Sequence, residues 1–121
     1  MYTISDVAKR CELSVYTIRF YDKEGLLPFV SRNSAGNRQF SETDLEMIKL
    51  ICCLKNTGMQ IKTIKQYIDL YMQGEHTAPL RKRMMVDHSK AIVKQIDDLN
   101  KQLTIVQLKI EYYESHPVAS C

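Results

Sequence analysis

The chain has 121 residues, of which 45% are hydrophobic and 26% are charged, and its formal net charge is +3. This length suits one domain, or one small domain with an extension. No apolar run approaches the roughly 20 residues that a membrane span needs, so we expect no membrane partner. The N-terminal segment lacks the basic and apolar regions of a signal peptide, which predicts a cytoplasmic protein. So small a net charge neither favours nor excludes nucleic acid.

The first two predicted helices are short and are joined by a tight turn. Thr3 or Ser5 can cap a first helix that runs to about Arg10. Ser14 stands where the N-cap of a second helix belongs, because its hydroxyl can accept an unpaired N–H of the first turn. Gly25 ends this helix, since glycine adopts a left-handed backbone at little cost. Two such helices predict a helix-turn-helix motif.

The second helix carries polar side chains that we expect to point outward. They are Ser14, Tyr16, Thr17, Arg19 and Tyr21. Side chains of these types hydrogen-bond base edges and phosphates in protein–DNA complexes. An ordinary amphipathic helix with a solvated face has the same pattern, so this segment alone leaves both interpretations open.

Residues 29–40 change character and predict a β-hairpin, or wing. Strand-like ends at Phe29 and Phe40 enclose a turn-rich centre over residues 33–37. Arg32 and Arg38 flank the predicted tip. A solvated surface loop is the alternative interpretation of this stretch.

A pair of helices is predicted over about residues 42–73. Ser41 is the N-cap of the first helix, and Asp44 stands at the third position, as in a capping box. This helix runs to about residue 56, and the second runs from about residue 60 to 73. The short link between them predicts an αα-hairpin.

A single long helix is predicted over residues 77–115, with Pro79 well placed at its first turn. Apolar residues alternate there with spacings of four and three: Ile92, Ile96, Leu99, Leu103, Val106, Ile110 and Tyr113. We call these seven residues the seam, because the heptad spacing is typical of a coiled coil. A helix of about 37 residues is about 55 Å long, too long for this domain to cover, so we expect it to pair with a second copy. Docking on its own domain is the alternative. The tail, residues 116–121, is predicted to be disordered.

Taken together, these elements resemble the MerR family of bacterial transcription regulators. The resemblance covers nearly the whole chain, and no single piece of it is specific by itself. Phe20 and Phe40 stand where the family often has Tyr, a mild departure. The residues that carry the resemblance are Tyr2–Lys9, Ser14–Tyr21, Glu24–Leu27, then Arg32, Gly36 and Arg38 in the wing, and Phe40–Leu45.

The resemblance implies a mainly α fold: a winged helix-turn-helix DNA-binding domain over residues 1–74, followed by an antiparallel coiled-coil dimerisation helix over residues 77–115. It implies a homodimer on a palindromic site in double-stranded promoter DNA. It also implies activation by bending and untwisting the DNA, so that two promoter elements come into phase for RNA polymerase; a protein can use contact energy to deform a duplex in this way.

Carried over by position, the resemblance assigns DNA contacts to eight residues. Four face the major groove: Ser14, Tyr16, Thr17 and Arg19. The other four contact phosphates: Tyr21 from the second helix, Arg32 and Arg38 from the wing, and Lys62 from the start of the fourth helix.

The inducing signal is less well specified than the fold. The cysteines, Cys11, Cys52, Cys53 and Cys121, form no CxxC pair, and none stands near the start of the long helix, so we expect no metal site and no cofactor. A chain of the family that ends after the coiled coil and has Cys at position 52 looks like the aldehyde- or electrophile-responsive members. In that interpretation Cys52 is the sensor, with nearby lysines favouring its thiolate. Alternatively, Cys52 is a small buried hydrophobe.

Other function classes receive less support. A coiled-coil interaction protein without DNA binding would leave the wing and its arginines unexplained. A regulator that responds to a small ligand or a metal remains an alternative, since tyrosines and methionines between residues 67 and 85 could line an apolar pocket. An enzyme is not expected, because no catalytic triad, carboxylate pair or phosphate-binding glycine loop occurs in the sequence.

Overall fold

The computed structural model describes residues 1–117. The chain forms two compact units, one made of Met1–Met84 and one that begins at Met85. Five α-helices and one two-stranded hairpin are present in the described residues. They are α1 (Ile4–Cys11), α2 (Val15–Lys23), β1 (Ser31–Arg32), β2 (Arg38–Gln39), α3 (Glu42–Asn56), α4 (Ile61–Gln73) and α5 (Ala78–Ser115), with a 3₁₀ turn at Glu75–Thr77. The prediction of a mainly helical fold with a wing and a long last helix is confirmed.

The helix starts follow from short polar side chains. Thr3 caps α1: its hydroxyl accepts the N–H of Asp6, whose carboxylate accepts the N–H of Thr3 in return. The hydrogen bond that the N–H of Thr3 donates to this carboxylate, with a contribution from the Thr3 hydroxyl, lowers the pKa of Asp6. Ser41 and Asp44 form the same reciprocal pair at the start of α3, so the predicted capping box is confirmed. α5 begins one residue earlier than Pro79.

The hairpin is antiparallel, with Ser31 opposite Gln39 and Arg32 opposite Arg38. An isolated bridge between Tyr2 and Phe40 joins the N-terminal segment to the end of this hairpin. The end of the wing is therefore held against the start of the chain.

The core of the first unit lies among α1 to α4. Its most deeply buried side chains are Val7, Ile18, Tyr21, Leu26, Leu27, Phe40, Leu45, Ile48, Ile51, Ile64 and Ile68. Gly25 ends α2 with a left-handed φ of 78°, and a Cβ there would stand 3.2 Å from Cε of Lys65. Glycine is thus needed for the left-handed turn, whereas the neighbouring atom is the end of a flexible lysine side chain that can move aside.

The connection from α4 to α5 contains one buried polar residue, Thr77. Its hydroxyl donates to the carbonyl oxygen of Leu70 at 2.7 Å, and Nε of Arg81 donates to the same hydroxyl oxygen at 3.0 Å. A buried hydroxyl with partners on both sides fixes the start of α5 within the first unit.

The second unit is the remainder of α5. Six of the seven seam residues are at least half exposed, and Leu99 is 63% exposed. His116 closes the helix by bonding through Nδ1 to the carbonyl oxygen of Tyr112 at 2.9 Å. The predicted disordered tail is described only at residues 116 and 117, since residues 118–121, including Cys121, lie outside the described residues. Among the described helices, none combines the length and the apolar character needed to cross a membrane.

Candidate nucleic-acid interface

The N-terminal half of α2 presents polar side chains to solvent. Tyr16 is 80% exposed, and Arg19 is exposed one turn further along. The hydroxyls of Ser14 and Thr17 lie 2.8 Å apart, and Ser14 also accepts the N–H of Thr17 at 3.0 Å. This cap fixes the helix start, so that two hydroxyls, one phenol and one guanidinium are placed on rigid backbone.

The tip of the wing is held by its own side chains. Oδ1 of Asn33 accepts the N–H groups of Ala35 and Asn37 at 2.9 and 3.0 Å. Nη1 of Arg32 donates to the carbonyl oxygen of Gly36 at 2.8 Å. Gly36 has a left-handed φ of 83°, as this tight turn requires. Arg32 remains exposed, so its charge is available to a partner outside the chain.

Arg38 has a different environment from Arg32. Its Nε and Nη2 donate to the two carboxylate oxygens of Asp22 at 3.1 and 2.6 Å, and its Nη1 donates to the carbonyl oxygen of Val30 at 2.6 Å. The side chains of Arg38 and Asp22 are 24% and 29% exposed. We call this pair the wing clamp, because it fastens the hairpin to α2.

These parts meet at one groove. A cavity of about 510 Å³ lies between the N-terminal segment, α2 and the wing, and it is lined by Arg19, Arg32 and Arg38 together with Asp22. Three arginines around one concave surface, with a single carboxylate already paired to one of them, form a positive groove suited to a phosphate backbone. Lys62 is exposed at the start of α4 and does not line this groove.

Tyr21 is not on this surface. It is only 2% exposed, so the expectation that it points outward was wrong, and a phosphate contact from Tyr21 has no support. The reason is helical spacing: Tyr21 lies three residues after the buried Ile18 and shares its inward face. Burial, together with the negative charge of the neighbouring Cys52 thiolate, raises the pKa of the Tyr21 hydroxyl to about 12. The spacing from Ile18 was the signal that could have revealed this.

Cys52 lies on α3 and is half-buried. Nδ2 of Asn56 donates to the sulfur of Cys52 at 3.5 Å, and Tyr21 of α2 lies near enough for Cys52 to raise its pKa. Cys53, the next residue, is exposed. Cys11 lies nearby with its sulfur 4.0 Å from the carbonyl oxygen of Leu45, and burial raises the pKa of the Cys11 thiol. Within residues 1–117, no three His, Cys, Asp or Glu residues are grouped as a metal site would require.

A capped helix with exposed polar residues, a rigid wing and an arginine-lined groove between them define a winged helix-turn-helix protein of the DNA-binding class. Comparison with known families agrees. Residues 2–70 match the family described as MerR HTH family regulatory protein, and residues 45–107 match MerR, DNA binding. The chain belongs to the MerR family of DNA-binding transcriptional regulators, which excludes the alternative of a coiled-coil protein without DNA binding.

Its relatives are regulators rather than enzymes. An uncharacterized HTH-type transcriptional regulator of Haemophilus influenzae is 40% identical over 113 residues, which span 93% of this chain and 84% of the relative. The HTH-type transcriptional regulator AdhR of Bacillus subtilis is 33% identical over 91 residues, 75% of this chain and 65% of AdhR.

Two solved structures share the architecture closely. A MerR family transcriptional regulator from Bacillus thuringiensis has a TM-score of 0.86 and 45% identity, and the match covers 93% of this chain and 98% of that one. HiNmlR is described as a MerR family regulator lacking the sensor domain, bound to promoter DNA; its TM-score is 0.85 at 39% identity, with 94% and 90% of the two chains covered.

Proposed function

We propose that the protein binds a palindromic promoter site as a homodimer and activates transcription by distorting the promoter DNA. The observation that carries the proposal is the groove, where the exposed Arg19 of α2 and the exposed Arg32 of the wing lie together. An α-helix fits the major groove, and a flanking wing then meets the backbone.

In this proposal the DNA contacts fall into two groups. Ser14, Tyr16, Thr17 and Arg19 face base edges in the major groove. Arg32, Arg38 and Lys62 contact phosphates. Arg38 uses three of its five N–H donors within the protein, which leaves two for a phosphate.

The base-reading role of α2 is tested with Arg19→Ala against the matched control Lys23→Ala, which removes a cation from the same helix outside the lining of the groove. A good bidentate base contact is worth about 1–3 kcal/mol. We expect Arg19→Ala to weaken operator binding by about tenfold or more in a bandshift, and binding to random duplex much less. Equal losses on both duplexes would reject the base-reading role.

Homodimerisation is supported by the exposed seam of α5. A single chain leaves six of these large apolar side chains at least half exposed. A second copy that packs its own seam against them would remove this surface from water through a two-fold interface.

Promoter distortion is proposed from membership of the family and from the geometry of a dimer, which carries two DNA-binding domains. Two DNA-binding domains held at a fixed separation can make all their contacts only if the duplex between them bends or untwists. The free energy of those contacts offsets the cost of the deformation. In transcription assays with RNA polymerase, a promoter with its spacer shortened by one or two base pairs should no longer need the protein. Unchanged dependence on the protein would reject the mechanism.

Cys52 is proposed as a sensor of aldehyde-class electrophiles. Its thiolate sulfur attacks the carbonyl carbon, a C–S bond forms, the C=O π bond breaks, and the oxygen takes a proton from water to give a hemithioacetal. Cys52 is half-buried on α3 and lies near enough to Tyr21 of α2 to raise its pKa, whereas Cys53 is exposed. Cys52→Ser should abolish reporter induction by aldehyde, whereas Cys53→Ser, one position away and exposed, should not. Equal induction in Cys52→Ser and wild type would sink the sensor role.

A further inference from the structure

Arg81 lies in the first turn of α5, and its side chain is only 13% exposed. Its Nε donates to the hydroxyl oxygen of Thr77 at 3.0 Å, and its Nη2 lies 3.6 Å from a carboxylate oxygen of Glu75. This ion pair is longer than a hydrogen bond, and the buried Nη2 has no hydrogen-bond partner among the described residues. Hydrogen bonds alone therefore account for little of what holds this guanidinium in place.

The ring of Tyr71, on α4, supplies a further contact. Cζ of Arg81 stands over this ring, 5.6 Å from its centroid. A guanidinium within about 6 Å of a ring centroid is attracted by the electrons of the ring, and more strongly where water is excluded. The same ring meets Phe29: their centroids are 6.3 Å apart and the two rings are nearly perpendicular, at 87°. We call Arg81, Tyr71 and Phe29 the strut, because they connect the first turn of α5, through α4, to the segment that leads into the wing.

The strut ends beside the wing clamp. Val30 follows Phe29 directly, and its carbonyl oxygen accepts Nη1 of Arg38 at 2.6 Å. Arg38 in turn holds Asp22 of α2. A displacement of Arg81 is therefore passed on by printed contacts, side chain to side chain, as far as the guanidinium that fastens the hairpin to α2.

We propose that Arg81 is a positioning residue that determines the half-site spacing accepted by the dimer, by fixing the first turn of α5 to α4 and to the base of the wing. The inference rests on the proposed homodimer. Since α5 carries the seam, the two DNA-binding domains of a dimer are connected through the starts of their two α5 helices. A rigid start allows a narrow range of separations between the domains, and a loose one allows a wider range, so half-site selectivity depends on the strut.

The first test compares Arg81→Met with Arg83→Met, the same change at an exposed position two residues further along α5. The probe is the duplex that wild-type protein selects from a random pool, together with two copies whose spacer is lengthened or shortened by two base pairs. Wild type and Arg83→Met should prefer the selected spacing by about tenfold or more in a bandshift, because the altered duplexes cost deformation energy. Arg81→Met should reduce this preference by about threefold or more. A residue that only stabilised the fold would lower all three affinities alike, so an unchanged preference in Arg81→Met overturns the proposal.

The second test uses the free protein and follows the base of the wing by hydrogen exchange. The N–H of Val30 donates to the carbonyl oxygen of Leu27 at 3.2 Å, so its exchange rate reports how often this segment opens. Arg81→Met should raise that rate by about threefold, whereas Arg83→Met should not. Tyr71→Leu removes the strut from α4 and should raise the rate as well, so the test does not depend on one variant folding. Exchange as slow as in wild type, in both Arg81→Met and Tyr71→Leu, would contradict the proposal.

Failure of the inference is distinguishable from failure of the proposed function. A wild-type protein that sediments as a monomer on and off the duplex rejects the homodimer and, with it, the role of Arg81 in half-site spacing. A dimer whose spacing preference survives Arg81→Met keeps the proposed function and overturns the inference alone.

Discussion

The wing clamp yields the most quantitative prediction. Arg38→Ala removes two hydrogen bonds to the Asp22 carboxylate and one to the carbonyl oxygen of Val30. A fully buried ion pair that loses one partner costs about 3–5 kcal/mol, whereas an exposed pair contributes about 0.2–1 kcal/mol. Because the two side chains are 24% and 29% exposed, water partly solvates the remaining carboxylate. We therefore expect a loss of about 2 kcal/mol in the free energy of unfolding.

The assay is urea unfolding followed by circular dichroism, at one fixed protomer concentration, because dimerisation would make stability depend on concentration. With a slope of about 2 kcal/mol per molar urea, the midpoint should fall by about 1 M. Arg32→Ala is the matched control: it removes the same side chain from the partner position across the hairpin, where the guanidinium is exposed and bonds only to the carbonyl of Gly36.

Arg32→Ala should change stability by less than about 0.5 kcal/mol but lower the slope of log affinity against log salt by about 0.9, the value for one phosphate contact. Asp22→Ala combined with Arg38→Ala should cost less than the sum of the single variants. If Arg38→Ala and Arg32→Ala destabilise the fold equally, the clamp does not hold the wing and the reasoning fails.

Three further predictions concern other parts of the chain. Burial and the neighbouring Cys52 raise the pKa of the Tyr21 hydroxyl from 10 to about 12. The stability that the protonated hydroxyl contributes is therefore fully present below pH 10 and is lost as the pH rises through 12. Denaturant midpoints at about pH 9 and about pH 11.5 should show this loss in wild type and not in Tyr21→Phe. Ser41→Ala should cost about 1 kcal/mol by removing a helix cap, and Ser34→Ala at the wing tip should cost almost nothing; equal midpoints would contradict the capping role. Leu103→Lys should yield a monomer in sedimentation velocity, while the adjacent Gln102→Lys stays dimeric; a dimeric Leu103→Lys would refute the seam.

Local features of the fold were predictable because they depend on neighbours in sequence. The caps at Ser14 and Ser41 require only a short polar side chain ahead of a helical pattern, and both are confirmed. The left-handed backbone at Gly25 follows from a helix end with glycine at the next position. The candidate site was predictable to the extent that Tyr16 and Arg19 are polar residues on the outer face of one helix.

The remainder of the site depends on contacts between residues far apart in the chain. Arg38 was expected to meet phosphates, yet its nearest anion is Asp22, sixteen residues earlier, and no spacing rule connects them. Tyr21 and Cys52, which lie close enough for Cys52 to raise the pKa of Tyr21, belong to different helices. Asp22, which no sequence pattern singled out, proves to be the anchor of the wing.

The sequence by itself determined the class of the protein: the order of helices, the wing, the seam and the helix caps all follow from periodicity and from residue types that act within about four positions. Only the tertiary structure decided which arginine faces outward and which is paired, and which tyrosine of α2 is exposed. The physical reason is that exposure and pairing depend on what another element brings to the same place, and in this chain α3 brings Cys52 to Tyr21 and α2 brings Asp22 to Arg38.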